Sequence, residues 1–317
     1  MKKILITRKL LKSNEERICK LWDAKLNLND EIYSQNKLIE LSKDCDGILC
    51  SIVDKIDEET INKLSDSVKI ISNFAVGFGN IDLKAAAKKK IVVTNTPDVL
   101  TNATAEIAML LILGAARRAS EGIKSVKDKN WKWSADFLIG KQLEGSKLGI
   151  LGMGRIGRAV ASRAKAFGMQ IHYRNRSRLK ADLEAGATYH ESIQSLFSVS
   201  DILSINCPAT LETTNIINKE TLEFFPKGAI ITNSARGDMI DDEAMVQALI
   251  SRRIFSLGLD VYKGEPNIHP GYLNQPNVFI LPHLGSATIK TRTAMADLAI
   301  DNIEEYFKTG ICKNMVN

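Results

Sequence analysis

Residues 148–157 read LGILGMGRIG, and this stretch decides the fold. An apolar strand runs into a G-x-G-x-x-G turn, which opens a helix predicted over 155–167. Gly152 permits the tight turn, Gly154 lets the backbone approach a pyrophosphate, and Gly157 lets the helix pack closely on the strand. The start of the helix then offers N–H groups to the phosphates, so the stretch predicts a dinucleotide-binding site. Without this strand–turn–helix context the glycines alone would be weak evidence and would fit a turn with no ligand.

The chain on both sides of this motif alternates short apolar, β-branched runs with charged segments of helical period. This alternation predicts a doubly wound α/β fold. Before the motif, the predicted strands are 4–7, 47–50, 70–73 and 91–94, and the predicted helices are 58–64, 82–90 and 101–118. A polar, irregular arm is predicted over 127–144. After the motif, the predicted strands are 170–173, 202–206, 229–233, 256–260 and 278–281, and a final helix is predicted over 287–308.

Length and composition limit the classes of protein to which this chain can belong. The chain has 317 residues, which predicts two domains, and its net charge of +6 is small and spread along the sequence. Such a surplus favours a solvated surface and a small anionic substrate over a nucleic-acid partner. Its five cysteines form no metal-ligand pattern, so no metal site is expected. Because Arg8 and Lys9 break the first apolar run and no apolar stretch approaches about 20 residues, we expect no membrane span and a cytoplasmic location.

The end of the strand after the glycine motif should carry the group that recognises the coenzyme ribose. Enzymes that use NAD place Asp or Glu there, but this chain has Arg174, Asn175, Arg176, Ser177 and Arg178. Guanidinium groups suit a 2′-phosphate, which a carboxylate would repel. We therefore predict NADP(H) as the preferred coenzyme, bound by residues 175–177. The alternative is a solvated basic loop in which Asn175 still serves NAD(H).

Three polar residues each follow a predicted strand in the second half of the chain: Arg236, Glu265 and His283. Ligands bind at the carboxyl ends of parallel strands, so the three are expected to converge. Arginine can orient a carboxylate or carbonyl, histidine can donate a proton, and a carboxylate can hold the imidazole. This set suits the reduction of a 2-keto acid. Taken singly, each has a structural alternative: a surface charge, a turn residue before Pro266, and a core histidine.

Several motifs in one order resemble the D-2-hydroxyacid dehydrogenase family over nearly the whole chain. They are the glycine motif, NSARG at 233–237, GEP at 264–266 and PHLGS at 282–286. Other stretches are most similar to its glyoxylate/hydroxypyruvate reductase branch: AVGFGNID at 75–82, NTPDVL at 95–100, AARR at 115–118 and NCPAT at 206–210.

The resemblance implies a Rossmann coenzyme domain over 100–285, inserted into a flavodoxin-like substrate domain made of 1–99 and 286–317. It implies an active site in the cleft, with Arg236, Glu265 and His283 as catalytic residues. The substrate carboxylate would bind Arg236 and the backbone N–H groups of Val76 and Gly77. Besides the glycines and residues 175–177, the implied coenzyme contacts are Arg155, Ile156, Cys207, Pro208, Thr213, Ala235, Asp260 and Gly285. The resemblance also implies a homodimer formed through the coenzyme domain.

The predicted function is reduction of glyoxylate or hydroxypyruvate by NADPH, with His283 as the proton donor. Two alternatives stay open at this point. A D-lactate-type or other 2-keto acid dehydrogenase that uses NADH would carry the same motifs. A nucleotide-sensing corepressor-like regulator would keep the fold without the turnover, because a fold does not decide function.

Overall fold

The sheets of this protein consist only of parallel strand pairs, as the alternation of strands and helices predicts. The computed structural model describes all 317 residues. The chain divides into two units, one made of Met1–Leu100 with Ser286–Asn317 and the other of Thr101–Gly285. The predicted fold class is confirmed: the protein is α/β, with one doubly wound sheet in each unit and the second unit inserted into the first.

The first unit holds a five-stranded sheet in the order β2-β1-β3-β4-β5, the flavodoxin-like order. Its strands are β1 (Lys3–Ile6), β2 (Asp23–Lys25), β3 (Gly47–Ser51), β4 (Ile70–Phe74) and β5 (Val92–Thr94). Its helices are α1 (Lys12–Leu21), α2 (Gln35–Ser42), α3 (Glu58–Lys63), α4 (Leu83–Lys88) and the final helix α13 (Ile289–Thr309). The helices α13 and α1 pack on one face of this sheet, and α2, α3 and α4 cover the other face.

The second unit holds a seven-stranded sheet in the order β12-β11-β10-β9-β6-β7-β8. Its strands are β6 (Lys147–Leu151), β7 (Gln170–Arg174), β8 (Thr188–Tyr189), β9 (Ile202–Ile205), β10 (Ala229–Asn233), β11 (Ile254–Leu259) and β12 (Val278–Ile280). Its helices are α5 (Thr101–Ala116), α6 (Ala119–Lys127), α7 (Arg155–Ala166), α8 (Ala181–Glu184), α9 (Ile193–Val199), α10 (Lys219–Leu222), α11 (Asp242–Ile250) and α12 (Pro270–Leu273).

This second sheet has the Rossmann arrangement. The first strand of this sheet, β6, lies in its middle, and the next two strands, β7 and β8, extend the sheet to one side. The chain then crosses back to β9, which lies on the other side of β6. The loops after β6 and β9 therefore leave the same edge of the sheet in opposite directions and open a crevice between them, which is where such sheets bind ligands.

The structure adds elements where the sequence predicts none, among them β8 and the helices α8 to α12, and it divides one predicted helix. Residues 8–46, for which no element is predicted, form α1, β2 and α2. The helix predicted over 101–118 ends at Ala116, and α6 begins at Ala119. The break falls at Arg118, whose backbone is left-handed with φ of +54°, and whose guanidinium binds Glu121 in the new helix at 2.7 Å. No helix of the protein is both long enough and apolar enough to cross a membrane.

Candidate active site

The glycine motif forms the turn between β6 and α7. Gly152 has φ of +93°, and a Cβ there would lie 2.5 Å from the backbone nitrogen of Cys207. A Cβ on Gly157 would lie 2.4 Å from the Gly152 carbonyl oxygen, so helix and turn could not pack as they do. In contrast, a Cβ on Gly154 would meet no atom within 4 Å. Gly152 and Gly157 are thus required by the fold, whereas Gly154 borders open space at the start of α7.

This turn fits the pyrophosphate of a dinucleotide. Gly154 is the N-cap of α7 and supplies no side-chain acceptor to the helix, so the first N–H groups of the helix remain available. Ile156 is half-buried behind the turn, and Arg155 is exposed at its surface. Unpaired N–H groups and the positive end of the helix dipole together make an anion site.

The end of β7 lies next to this turn. The backbone N–H of Gly152 donates to the Arg174 carbonyl at 2.9 Å, and the N–H of Met153 donates to the Asn175 Oδ1 at 2.6 Å. The side-chain amide of Asn175 therefore links the end of β7 to the glycine turn by a hydrogen bond. Arg176 and Ser177, the next two residues, are exposed and form no hydrogen bond with the rest of the chain. The strand end thus presents a guanidinium and a hydroxyl where a carboxylate would favour NAD.

The loop after β9 closes the other side of the crevice. Cys207 contacts Gly152 across it, and burial raises the pKa of the Cys207 thiol to about 11, so this cysteine is no nucleophile at neutral pH. The Thr213 hydroxyl donates to the Pro208 carbonyl at 2.9 Å and accepts from the Thr210 N–H at 2.7 Å. Thr213 therefore stabilises the conformation of this loop through hydrogen bonds to other residues of the loop.

His283 and Glu265 form a direct pair. His283 Nδ1 donates to Glu265 Oε2 at 2.6 Å, and Glu265 Oε1 also accepts the Tyr262 N–H at 2.8 Å. Burial would raise the pKa of Glu265, but the hydrogen bonds from His283 and Tyr262 and the nearby charge of Arg236 together lower it. The carboxylate is therefore ionised at neutral pH and acts only as an acceptor, which leaves Nε2 of His283 for a substrate.

The backbone around His283 is held in an uncommon conformation. His283 has φ of +55°, in the left-handed region. Asp260, at the end of β11, accepts the N–H groups of Leu284 at 2.6 Å and Gly285 at 2.8 Å. Burial raises the pKa of Asp260, while these two N–H groups and the charge of His283 oppose that rise. Asp260 therefore fixes the segment that carries the imidazole.

Arg236 follows β10, the strand beside β11. Asn233 at the strand end donates from Nδ2 to the Arg236 carbonyl at 2.7 Å and accepts the Ala235 N–H at 2.9 Å, so one buried amide sets this turn. Burial lowers the pKa of Arg236, and the charges of Glu265 and Asp238 act in the opposite direction. A partly desolvated guanidinium attracts an anion more strongly than an exposed one does.

The predicted substrate loop lies in the first unit, after β4. Asn73 Nδ2 donates to the Gly77 carbonyl at 2.9 Å, and Asn95 Nδ2 donates to the Val76 carbonyl at 2.8 Å. The N–H groups of Val76 and Gly77 donate to no group of the chain. Two buried asparagines thus hold the carbonyls and leave both N–H groups available to an anion. The sequence prediction missed Asn73 and Asn95, since asparagines far apart in the chain show no common pattern.

The structure therefore brings two groups of predicted residues together within the second unit. Glu265 and His283 are hydrogen-bonded, and Glu265 interacts electrostatically with Arg236. The glycine turn, Asn175 and Cys207 meet at the crevice. Val76 and Gly77 belong to the other unit.

Comparison with known proteins identifies the family. Residues 109–285 match the family model for the NAD binding domain of D-isomer specific 2-hydroxyacid dehydrogenases. A glycerate dehydrogenase of Hyphomicrobium methylovorum is 42% identical over 309 residues, covering 96% of each chain. This chain belongs to the D-2-hydroxyacid dehydrogenase family.

Other members of the D-2-hydroxyacid dehydrogenase family are similar over nearly their full length. A glyoxylate reductase of Thermococcus litoralis is 37% identical, covering 99% of this chain and 96% of the relative. The crystal structure of an NADPH-dependent glyoxylate/hydroxypyruvate reductase from Sinorhizobium meliloti, in complex with NADP and malonate, superposes with a TM-score of 0.89 at 32% identity. It covers 99% of this chain and 96% of that one. The protein is accordingly an oxidoreductase with an NAD(P)-binding domain.

Proposed function

We propose that this protein reduces small 2-keto acids, glyoxylate to glycolate and hydroxypyruvate to D-glycerate, with NADPH as the reductant. The observation that carries the proposal is the pair of His283 and Glu265, 2.6 Å apart, on the strand-end edge that also holds Arg236 and the glycine turn. The glyoxylate and hydroxypyruvate reductases among its relatives support the same substrate class.

The residues of the chain divide the chemistry between them. When bound, NADPH supplies a hydride to the keto carbon. As the carbon gains it, negative charge grows on the carbonyl oxygen, and His283 donates its Nε2 proton there to complete the hydroxyl. Arg236 orients the substrate and stabilises the growing charge. Glu265 holds the imidazole in place, while the Val76 and Gly77 N–H groups are the proposed donors to the substrate carboxylate.

Turnover itself tests the proposal. Loss of NADPH absorbance upon addition of glyoxylate or hydroxypyruvate is the expected result, with formation of glycolate or D-glycerate in equal amount. A protein that binds NADPH but turns over no keto acid in a panel of lengths would instead be a nucleotide-sensing regulator. Efficient turnover of pyruvate with NADH alone would favour the D-lactate-type alternative.

Coenzyme choice gives a prediction of its own. Because Arg176 and Ser177 lie where a ribose-binding acid would stand, kcat/KM with NADPH should exceed that with NADH. A charge-assisted hydrogen bond contributes about 1.5–3 kcal/mol, so one or two such contacts predict a preference of about 10–100-fold. The preference should shrink as salt is added, since exposed charges are screened. Equal values for the two coenzymes, or a preference for NADH, would show that this is only a solvated basic loop.

The partner of His283 gives a second prediction. Glu265→Gln should lower kcat at neutral pH by about 10-fold or more, because a charge-assisted hydrogen bond is lost. It should also move the fall of the reduction rate at alkaline pH to a lower pH, since a neutral amide stabilises the protonated imidazole less. The pKa of Glu265 is lowered from its ordinary value, so the wild-type carboxylate is ionised at neutral pH, and its contribution is lost only as the pH falls through that lowered pKa. A pH profile that is unchanged in this variant would remove Glu265 from proton transfer.

We also propose that the protein is a homodimer formed through the arm after α6. Trp131 is 57% exposed and Trp133 is 80% exposed on this arm, and large exposed apolar side chains are costly in a monomer. Light scattering coupled to gel filtration distinguishes a dimer from a monomer directly.

A further inference from the structure

The three arginines after the glycine motif differ in their surroundings, although they stand close together in the sequence. Arg178 Nε donates to Glu184 Oε1 at 2.8 Å, and its Nη2 donates to Glu184 Oε2 at 3.1 Å. Arg176 is exposed and has no acid partner in the chain. Arg174 ends β7 with its Nε buried and without a hydrogen-bond partner. The positive charge of Arg178 is therefore balanced within the protein, and that of Arg176 is not.

The acid that balances Arg178 is itself held firmly. Glu184 is the last residue of α8, and only 10% of its side chain is exposed, whereas 66% of the Arg178 side chain is. The hydroxyl of Tyr173, a fully buried residue of β7, donates to Glu184 Oε1 at 2.5 Å. The same hydroxyl accepts the N–H of Leu179 at 3.0 Å, so the loop between β7 and α8 is tied down at its far end.

Two consequences follow for a phosphate near this loop. The bidentate pair uses two of the five N–H donors of the Arg178 guanidinium, and the Glu184 carboxylate neutralises its charge, so Arg178 attracts a second anion less than an unpaired arginine does. The pair as a whole is neutral, so its removal changes the local potential little, whereas loss of Glu184 alone would expose one more positive charge. The pKa of Glu184 is lowered, chiefly by its hydrogen bond from Arg178, which agrees with a pair ionised at neutral pH.

We propose that Glu184 is a specificity-determining residue, which keeps Arg178 away from the coenzyme and leaves Arg176 to meet the 2′-phosphate. The inference rests on the proposed preference for NADPH and adds which arginine provides it. Glu184 acts through Arg178 and Tyr173 and is a positioning residue, with no contact of its own to the coenzyme.

The test compares variants that differ in charge. Arg176→Met removes an unbalanced charge, the double variant Arg178→Met/Glu184→Gln removes a balanced pair, and Glu184→Gln alone unmasks Arg178. The measured quantity is the ratio of the Kd of 5′-AMP to the Kd of 2′,5′-ADP, determined by calorimetric titration of the full chain without any keto acid. The two probes differ only by the 2′-phosphate, so a general loss of binding or of folding cancels in the ratio. Thermal unfolding is recorded for each variant.

The expected results differ in sign. Arg176→Met should lower the ratio by roughly 10–100-fold, the double variant should stay within about twofold of the wild type, and Glu184→Gln should raise the ratio roughly two- to fivefold at low salt. A higher ratio in Glu184→Gln is not expected if Glu184 has only a structural role. If the double variant unfolds, the ratio in Glu184→Gln alone therefore tests the proposed role.

Three other outcomes would contradict the proposed role of Glu184, and only one of them also contradicts the preference for NADPH. If the double variant lowers the ratio as far as Arg176→Met does, Arg178 binds the phosphate and the role given to Glu184 is wrong, while the preference for NADPH stands. If the wild type binds both probes equally, the proposed coenzyme choice fails and the inference about Glu184 fails with it. A ratio that falls in Glu184→Gln would also overturn the inference.

Discussion

Replacing His283 by alanine is expected to reduce kcat for 2-keto acid reduction by about 10²–10⁴-fold, the range typical of a positioned general acid. Its Nδ1 is occupied by Glu265 at 2.6 Å, so Nε2 is the nitrogen that can give a proton to the substrate oxygen. Without this donor, water must protonate the developing alkoxide. Steady-state rates with glyoxylate over a range of pH measure the loss, and the fall of the rate at alkaline pH that we expect of the wild type should be absent in the variant.

A control is needed because His283 has φ of +55°, a conformation that alanine tolerates poorly. Asparagine adopts left-handed backbone more readily than most residues, so His283→Asn keeps the turn and still cannot serve as a proton donor. Both variants should lose activity alike while the Kd of NADPH stays near its wild-type value. Normal turnover in a correctly folded His283→Asn protein would show that the proton comes from elsewhere.

The parts of this site that sequence reasoning predicts well are those set by short-range patterns. The glycine motif is recognised from adjacent residues, and the structure gives a steric reason for two of its three glycines, such as the 2.5 Å approach to Cys207 at Gly152. The parallel sheets follow equally directly, because buried strands alternate with helices of sufficient length to cross over. The placing of Arg236, Glu265 and His283 on one edge then follows from the rule that carboxyl ends of parallel strands lie together.

Other parts depend on contacts that no local pattern encodes. Asn73 and Asn95 come from different strands and become visible only when the fold brings both amides to the loop of Val76 and Gly77. Arg174, Arg176 and Arg178 look equivalent in the sequence, yet only the charge of Arg178 is neutralised by Glu184. The strand β2 also escapes prediction, because it has only three residues and none of these is buried. Short, partly exposed strands carry little hydrophobic periodicity.

Replacing Arg236 by alanine is expected to lower kcat/KM by roughly 10²–10³-fold, as the loss of one aimed charge does at comparable sites. Both terms should contribute, since the guanidinium is proposed to hold the substrate carboxylate in the ground state and to stabilise the carbonyl oxygen as its charge grows. Burial lowers the pKa of Arg236, the sign of a partly desolvated group whose attraction for an anion is strengthened.

The loss of kcat/KM in Arg236→Ala should come from the missing guanidinium and not from misfolding. The one hydrogen bond of the Arg236 guanidinium within the chain goes to the neighbouring Ala235 carbonyl at 2.6 Å, and the pair of Glu265 and His283 forms without it. The Kd of NADPH and the thermal unfolding midpoint should therefore change little in Arg236→Ala. Arg236→Lys should recover part of kcat/KM, because lysine restores the charge but not the planar pair of donors that binds a carboxylate at two points. If Arg236→Ala keeps near-normal kcat/KM, Arg236 lies outside the substrate site, and the reduction must rely on His283 and Glu265 with another group for orientation.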